Sequence, residues 1–304
     1  MPRPLFRDPV LQEAFDRVGY VTFPALGPET VREVREYCDA MELVDGLRAG
    51  YKVGLYQADF ERKQRCREFL HATAFPFLEP FFAARWPYVC SYLVKEPRGA
   101  VIPGHQDWSY CDETVYDPAT CWIPLCDVDE DNAALGFIDG SHKYFDYLRM
   151  FPYMVVETPV HTHTIQLMPF VNLLRLKAGE AVVFNNKTIH GSFSNYTNKE
   201  RPAVAFLLQP ANEALVSYYL KPNGACDTLL KYAATPDFYL EYNQPTLWEM
   251  YKQGKVIEGH DYEEVPYRYD RIGWPELEEK VVAGGHQRDP WKVAKIEEFF
   301  HVKL

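Results

Sequence analysis

Hydrophobic positions along this chain change their period near residue 88. Upstream, apolar residues recur at steps of three and four, the period of helices with one buried face. Residues 8–18 read as a short helix, with Asp8 and Pro9 as its start signal. Residues 20–23 alternate like a strand. Residues 27–41 read as an amphipathic helix with Val31, Val34, Tyr37, Cys38 and Met41 on one face. A further helical stretch is expected over 60–85, interrupted at Pro76. From 88 to 208 the pattern becomes short β-rich runs separated by turn residues: 88–96, 101–108, 119–126, 134–138, 171–176, 180–184, 188–193 and 202–209. This strand count alone fits several sandwich and barrel folds. Residues 142–170 form a long insertion, of the kind that often serves as a lid or binding loop. The tail 211–304 mixes helical pieces (245–253, 275–282, 290–300) with an acidic, aromatic segment at 261–271. Its expected role is to cover a pocket mouth, extend the fold or make a dimer contact.

Composition narrows the class. The chain has 304 residues, 47% hydrophobic and 25% charged, which suits an ordinary globular protein with a large core. The net charge of −11 argues against nucleic acid or an anionic membrane as partner. A small molecule is the expected partner, and the protein is expected to be a monomer or homodimer. The seven cysteines show no paired spacing and no Cys-x-x-Cys, so free thiols in a reducing compartment are expected. The opening residues carry no apolar signal core, and no stretch is long enough to span a bilayer. The expected location is the cytoplasm.

Candidate chemistry centres on His105-Gln106-Asp107 and the distant His190. On a strand, residues i and i+2 share a face, so His105 and Asp107 can reach one ion together. Two imidazoles and one carboxylate are the ligand set of non-haem Fe(II) oxygenases, which leave three positions open. His105, Asp107 and His190 are therefore the candidate metal ligands and catalytic residues. The competing reading of each alone is a surface pair or a satisfied core histidine.

The wider motif set resembles the phytanoyl-CoA dioxygenase family of Fe(II)/2-oxoglutarate oxygenases. Trp122, Leu125, Asp127, Asn132, Leu135 and Gly140-Ser141-His142 match the family's W-x-x-L-x-D-x-x-x-x-N-G-x-L-x-x-x-x-G-S-H block. Gly179 to Phe184, Ile189-His190-Gly191-Ser192 and Arg201-Pro202-Ala203 are similar to its distal-histidine block, and Val18-Gly19-Tyr20-Val21 to its N-terminal strand. The resemblance covers roughly residues 10 to 210. One departure is Ala133, where the family usually has glycine; this alters a turn and no ligand.

The resemblance implies a double-stranded β-helix (a jelly roll, cupin-like) with flanking helices, forming one domain over 1–304. It also implies Fe(II) with 2-oxoglutarate and O2 as co-substrates, and release of succinate and CO2. Arg201 is then the expected partner of the distal 2-oxoglutarate carboxylate, because a guanidinium fork matches a carboxylate. Ser192, two residues beyond His190, faces the same interior. Trp122 takes the position of a pocket-lining aromatic, with a plain core tryptophan as the rival. Gln106 and Tyr92 are further co-substrate candidates, Val94 a pocket wall, and Lys52 a weaker match to a family lysine. Trp108, Ser109 and Tyr110 follow the metal strand and are the expected substrate side. His161 and His163 are expected to touch substrate; as a rival metal pair they lack a carboxylate. His142 reads as structural.

Hydroxylation is the first expected outcome, with desaturation, cyclisation or epimerisation as alternatives on the same machinery. Halogenation is disfavoured because Asp107 fills the position a halide would need. A catalytically silent jelly-roll binding protein is the alternative from another class.

Overall fold

The computed structural model describes residues 2–41 and 50–304. Its strands are, in chain order, β1 (Tyr20–Pro24), β2 (Tyr51–Val53), β3 (Arg85–Lys95), β4 (Ile102–His105), β5 (Ala119–Pro124), β6 (Leu135–Phe137), β7 (Asn172–Leu173), β8 (Glu180–Asn185), β9 (His190–Ser192), β10 (Arg201–Pro210), β11 (Leu215–Leu220), β12 (Thr228–Ala234) and β13 (Tyr262–Pro266). Six of them form a major sheet in the order β1-β8-β5-β10-β3-β2, and four a minor sheet in the order β4-β9-β6-β7. Neighbours in both sheets are antiparallel. From β3 to β10 the chain passes back and forth between the two sheets. The eight strands read from the sequence thus form the expected double-stranded β-helix.

Both faces of the major sheet are covered, and strand alternation divides them. Leu93, Trp122, Val182, Phe184, Ala203 and Ala205 belong to one buried cluster, which also holds Phe137 of β6. Their sequence neighbours Tyr92, Val94, Cys121, Ile123, Val183, Val204 and Phe206 belong to another, shared with Phe15, Val34, Cys38 and Leu70 of the N-terminal helices. The first set fills the barrel interior and the second seats the helices, as period-two geometry requires. The helix Pro9–Val18 starts at Asp8, whose side chain accepts from Val10 N at 2.8 Å. The expected helix over 60–85 is shorter. It runs Phe60–Thr73, and Pro76 and Pro80 allow only single turns at Phe75–Leu78 and Glu79–Phe81 before β3 begins.

Two backbone positions explain local sequence choices. Gly179 has φ +86°, and a Cβ there would lie 2.3 Å from Leu26 O. Its own N–H donates to Pro124 O, and its carbonyl accepts from Ala25 and Leu26 N–H. Gly179→Ala combines left-handed strain with a clash against backbone. It should destabilise the fold by about 2–4 kcal/mol, measured as a shift in urea midpoint at constant slope. Ala133 has φ 69°, so the family's usual glycine is replaced by a residue that is strained in this turn.

The insertion 142–170 is packed. Phe145, Tyr147, Val160, Leu167, Met168 and Phe170 join a cluster with Leu277, Val281 and Ile296 of the C-terminal helices Trp274–Ala283 and Pro290–Phe300. The tail differs from expectation in containing a third sheet, β11-β12-β13; the acidic segment supplies β13. A cluster including Tyr88, Tyr110, Leu215, Tyr219 and Tyr232 joins this sheet to the barrel.

Candidate functional site

His105 ends β4, Asp107 lies two residues beyond it, and His190 opens β9. The register pairs His105 directly with His190 across the minor sheet. His105 Nε2 and His190 Nε2 lie 3.9 and 3.8 Å from Asp107 Oδ1, and one ligand atom from each residue falls within 4.8 Å of the others. Each imidazole is oriented by its own strand. His105 Nδ1 is 2.8 Å from Pro103 O, and His190 Nδ1 is 2.9 Å from Thr188 O. A carbonyl can only accept, so Nδ1 carries the hydrogen and each Nε2 lone pair faces Asp107. This is the usual way a protein fixes a ligating histidine. Phe137 stacks on His190 at 5.7 Å and Phe184 packs at 4.6 Å, which completes the wall behind that ring.

Asp107 is held through its backbone. Its N–H donates to Asn186 O at 2.8 Å, and its carbonyl accepts from Arg149 Nε at 2.8 Å. Thr120 Oγ1 lies 2.9 Å from Asn186 Oδ1 and 3.3 Å from Asp107 Oδ2, so it can donate to either. The turn 185–187 and the insertion therefore hold the Asp107 backbone from two sides, and Thr120 is the neighbour that reaches its carboxylate.

These residues open onto a cavity of about 560 Å³. Arg201 enters it from β10, on the same face as Ala203 and Ala205. The guanidinium sits 5.1 Å over the Trp122 ring. It is fully buried, and its Nε and Nη1 have no hydrogen-bond partner among the described residues. Burial pulls its pKa below the ordinary arginine value. A buried cation with open donors is costly unless an anion completes it. Tyr51 also lines the cavity. Burial raises its phenol pKa, and the fields of Arg201 (lowering) and Asp107 (raising) both reach it.

The other sequence candidates divide. Trp122, Ser192, Gln106, Trp108 and His161 line the cavity. Ser192 Oγ accepts from Lys95 Nζ at 2.7 Å. Gln106 is held at both ends, by Lys187 O at 2.5 Å and the Tyr147 hydroxyl at 2.9 Å. Tyr92 and Val94 are corrections. They face the helix layer, where Tyr92 OH donates to Asp39 at 2.7 Å, and Ser91 and Leu93 line the cavity instead. Lys52 also points away and pairs with Glu96 at 2.5 Å. Ser109 and Tyr110 are buried outside the cavity. Ser109 Oγ accepts from Arg149 N at 3.0 Å, and Tyr110 OH donates to Leu208 O. His163 packs on Trp274 at 5.7 Å and does not reach the cavity. His142 is structural, 3.2 Å from Asp16 O.

Sequence reasoning missed Tyr51, Arg149 and Tyr153 as wall residues, and Gln244 and Tyr267 of the tail. Arg149 had a readable signal: a lone cation inside the apolar run 147–151.

Comparison with known proteins agrees with this geometry. A phytanoyl-CoA dioxygenase (PhyH) family model matches residues 15–203. Phytanoyl-CoA dioxygenase 1 of Oryza sativa subsp. japonica is 34% identical over 125 residues, 38% of this chain and 41% of that protein. A probable alpha-ketoglutarate-dependent hypophosphite dioxygenase of Stutzerimonas stutzeri is 30% identical over 115 residues, 35% of this chain and 39% of that protein. The chain thus spans less than half the length of either relative. Among solved structures, HygX from Streptomyces hygroscopicus, with nickel and 2-oxoglutarate bound, superposes with a TM-score of 0.50 at 13% identity, covering 67% of this chain and 88% of that one. That likeness shows the shared fold. With the family model matching residues 15–203, from before β1 to the start of β10, this chain belongs to the phytanoyl-CoA dioxygenase family.

Proposed function

We propose that this protein is an Fe(II)- and 2-oxoglutarate-dependent oxygenase that hydroxylates a small molecule. The observation that carries this reading is the pairing of two features in one cavity. One is the His105-Asp107-His190 triad with both Nε2 atoms turned inward; the other is the buried Arg201 guanidinium with open donors. The triad fits a divalent metal and leaves coordination positions free. Arg201, stacked on Trp122 and near Tyr51, fits the remote carboxylate of a dicarboxylic co-substrate. Two hydrogen-bonded imidazoles and one carboxylate suit iron, nickel and cobalt alike, so iron is assigned by the family reading.

When bound, iron and 2-oxoglutarate supply the oxidation of a substrate C–H bond. The chain supplies position. Pro103 O and Thr188 O hold the imidazole tautomers, Asn186 and Arg149 hold Asp107, and Trp122 and Phe184 keep the inner pocket dry. The same residues would serve desaturation, ring closure or epimerisation, since these differ in which substrate bond faces the metal. A silent binding protein would have no use for the unpartnered Arg201. In an aerobic assay with Fe(II), ascorbate and 2-oxoglutarate, the purified protein should release succinate, slowly without substrate. It should also bind 2-oxoglutarate only when metal is present. Absence of both succinate and metal-dependent binding would remove this reading.

A further inference from the structure

We propose that the substrate is an uncharged molecule with a flat, ring-shaped apolar body, bound free and not on a phosphate-bearing carrier. This deepens the oxygenase reading and rests on it. The cavity that holds the triad is also lined by Tyr56, Tyr88, Trp108, Tyr147, Tyr153 and Tyr267, together with Met150 and Met154. Aromatic rings favour offset or edge contacts with other rings, and thioethers adapt to them. Trp108 already meets Phe151 edge-on at 6.0 Å, and Tyr153 meets His161 edge-on at 5.4 Å.

Charge is the second part of the argument. Besides His105, Asp107, His190 and Arg201, the only Asp, Glu, Lys, Arg or His side chains among the described lining residues are Arg149 and His161. Arg149 is already committed. Its Nη2 pairs with Glu113, its Nε donates to Asp107 O at 2.8 Å, and its Nη1 donates to Tyr147 O at 3.1 Å. Both members of the ion pair are buried, with side-chain exposures of 6% and 8%. Glu113 also faces Lys187 Nζ at 3.7 Å, and Lys187 pairs in turn with Asp146 at 2.9 Å, so two cations and two carboxylates balance behind this wall. Burial holds the His161 imidazole below its usual pKa range, so it stays neutral near pH 7. Once the co-substrate takes Arg201, an anionic substrate would find no uncancelled counter-charge among these lining residues, which is unfavourable.

The polar groups available are neutral. Gln244 lies on the wall with its Oε1 accepting from Tyr56 OH at 2.5 Å, which leaves its amide N–H2 to donate. The Tyr88 hydroxyl is buried and has no partner among the described residues. These suit the oxygen of an alcohol, phenol, ether or ketone.

The test uses a matched set of probes on the protein loaded with Ni(II) and 2-oxoglutarate: 1-naphthol, 1-naphthoate and 1-naphthoyl-CoA, titrated by calorimetry. 1-Naphthol should bind at least about tenfold more tightly than 1-naphthoate, with the CoA thioester no tighter than the carboxylate. Glu113→Gln leaves the Arg149 charge uncancelled and should narrow or reverse the naphthol preference. If Glu113→Gln does not fold, the wild-type ranking still decides. Tighter binding of naphthoate or of the thioester, equal binding of all three, or no naphthol binding at all overturns the proposal. Failure of Ni(II) and 2-oxoglutarate to bind in the same experiment counts against the oxygenase reading. The probe ranking is read in either case, so the two failures are separable.

Discussion

Fe(II) affinity should fall by more than about 100-fold in His105→Ala, beyond the roughly 10–100-fold that loss of an outer hydrogen-bond partner causes. Succinate release should fall to background. The variant should still fold. His105 sits at a strand end with 32% of its side chain exposed, and it contributes no residue to the buried clusters. His190, only 6% exposed and packed between Phe137 and Phe184, is the poorer position for this test because its removal leaves a hole in the barrel wall. Metal affinity measured by competition with a chromophoric chelator, alongside a circular dichroism melt, separates ligand loss from unfolding. Wild-type affinity in a folded His105→Ala would show that the triad is not the metal site.

The barrel and its triad were legible because each rests on short-range physics. The i, i+2 spacing brings His105 and Asp107 to one point although β4 ends at His105 and Gln106 lines the cavity too, and antiparallel pairing then needs only one partner strand to deliver His190. The choice of face on β3 was not legible. Residues 88–94 are apolar almost throughout because helices cover the outside of the sheet and the barrel fills the inside, so alternation carries no sign. Tyr92 was consequently assigned inward, when Ser91 and Leu93 point there. Tyr110 and Ser109 were misplaced for another reason. The chain leaves β4 irregularly after His105, and backbone hydrogen bonds from Ser109 to Arg149 and from Val216 to Tyr110 turn it into the packed interior. In the tail sheet β13 reads as loop because it is mostly exposed, whereas β11 and β12 carry apolar strand runs, Leu215–Leu220 and Thr228–Ala234, that were legible and were passed over. Gln244 and Tyr267 reach the cavity only through that tertiary arrangement, which no local pattern encodes. Arg149 is the instructive omission: an arginine in an apolar run implies a buried partner, and Glu113 is that partner.

Arg201 should control 2-oxoglutarate affinity while leaving metal affinity nearly unchanged. Its guanidinium lies over Trp122 with open Nε and Nη1 donors, so a carboxylate brought to it completes a charge-assisted hydrogen bond and supplies the missing counter-charge. Truncating one partner of such a buried charge pair costs on the order of 2–5 kcal/mol, equivalent to roughly 30-fold or more in affinity. Arg201→Met should therefore raise the 2-oxoglutarate requirement steeply at unchanged Fe(II) binding. Arg201→Lys should recover only part of the loss, since an ammonium cannot make the planar two-bond contact. Stability supplies an independent readout. A guanidinium buried without a counter-ion opposes folding, so Arg201→Met should melt at the same temperature as wild type or higher when co-substrate is absent. Added 2-oxoglutarate and metal should then raise the wild-type melting temperature and leave that of the variant almost unmoved, because a ligand stabilises only the state it binds. A normal 2-oxoglutarate dependence in Arg201→Met would move the carboxylate anchor to another residue. A large loss of stability without ligand would mean that Arg201 serves the fold and not the co-substrate.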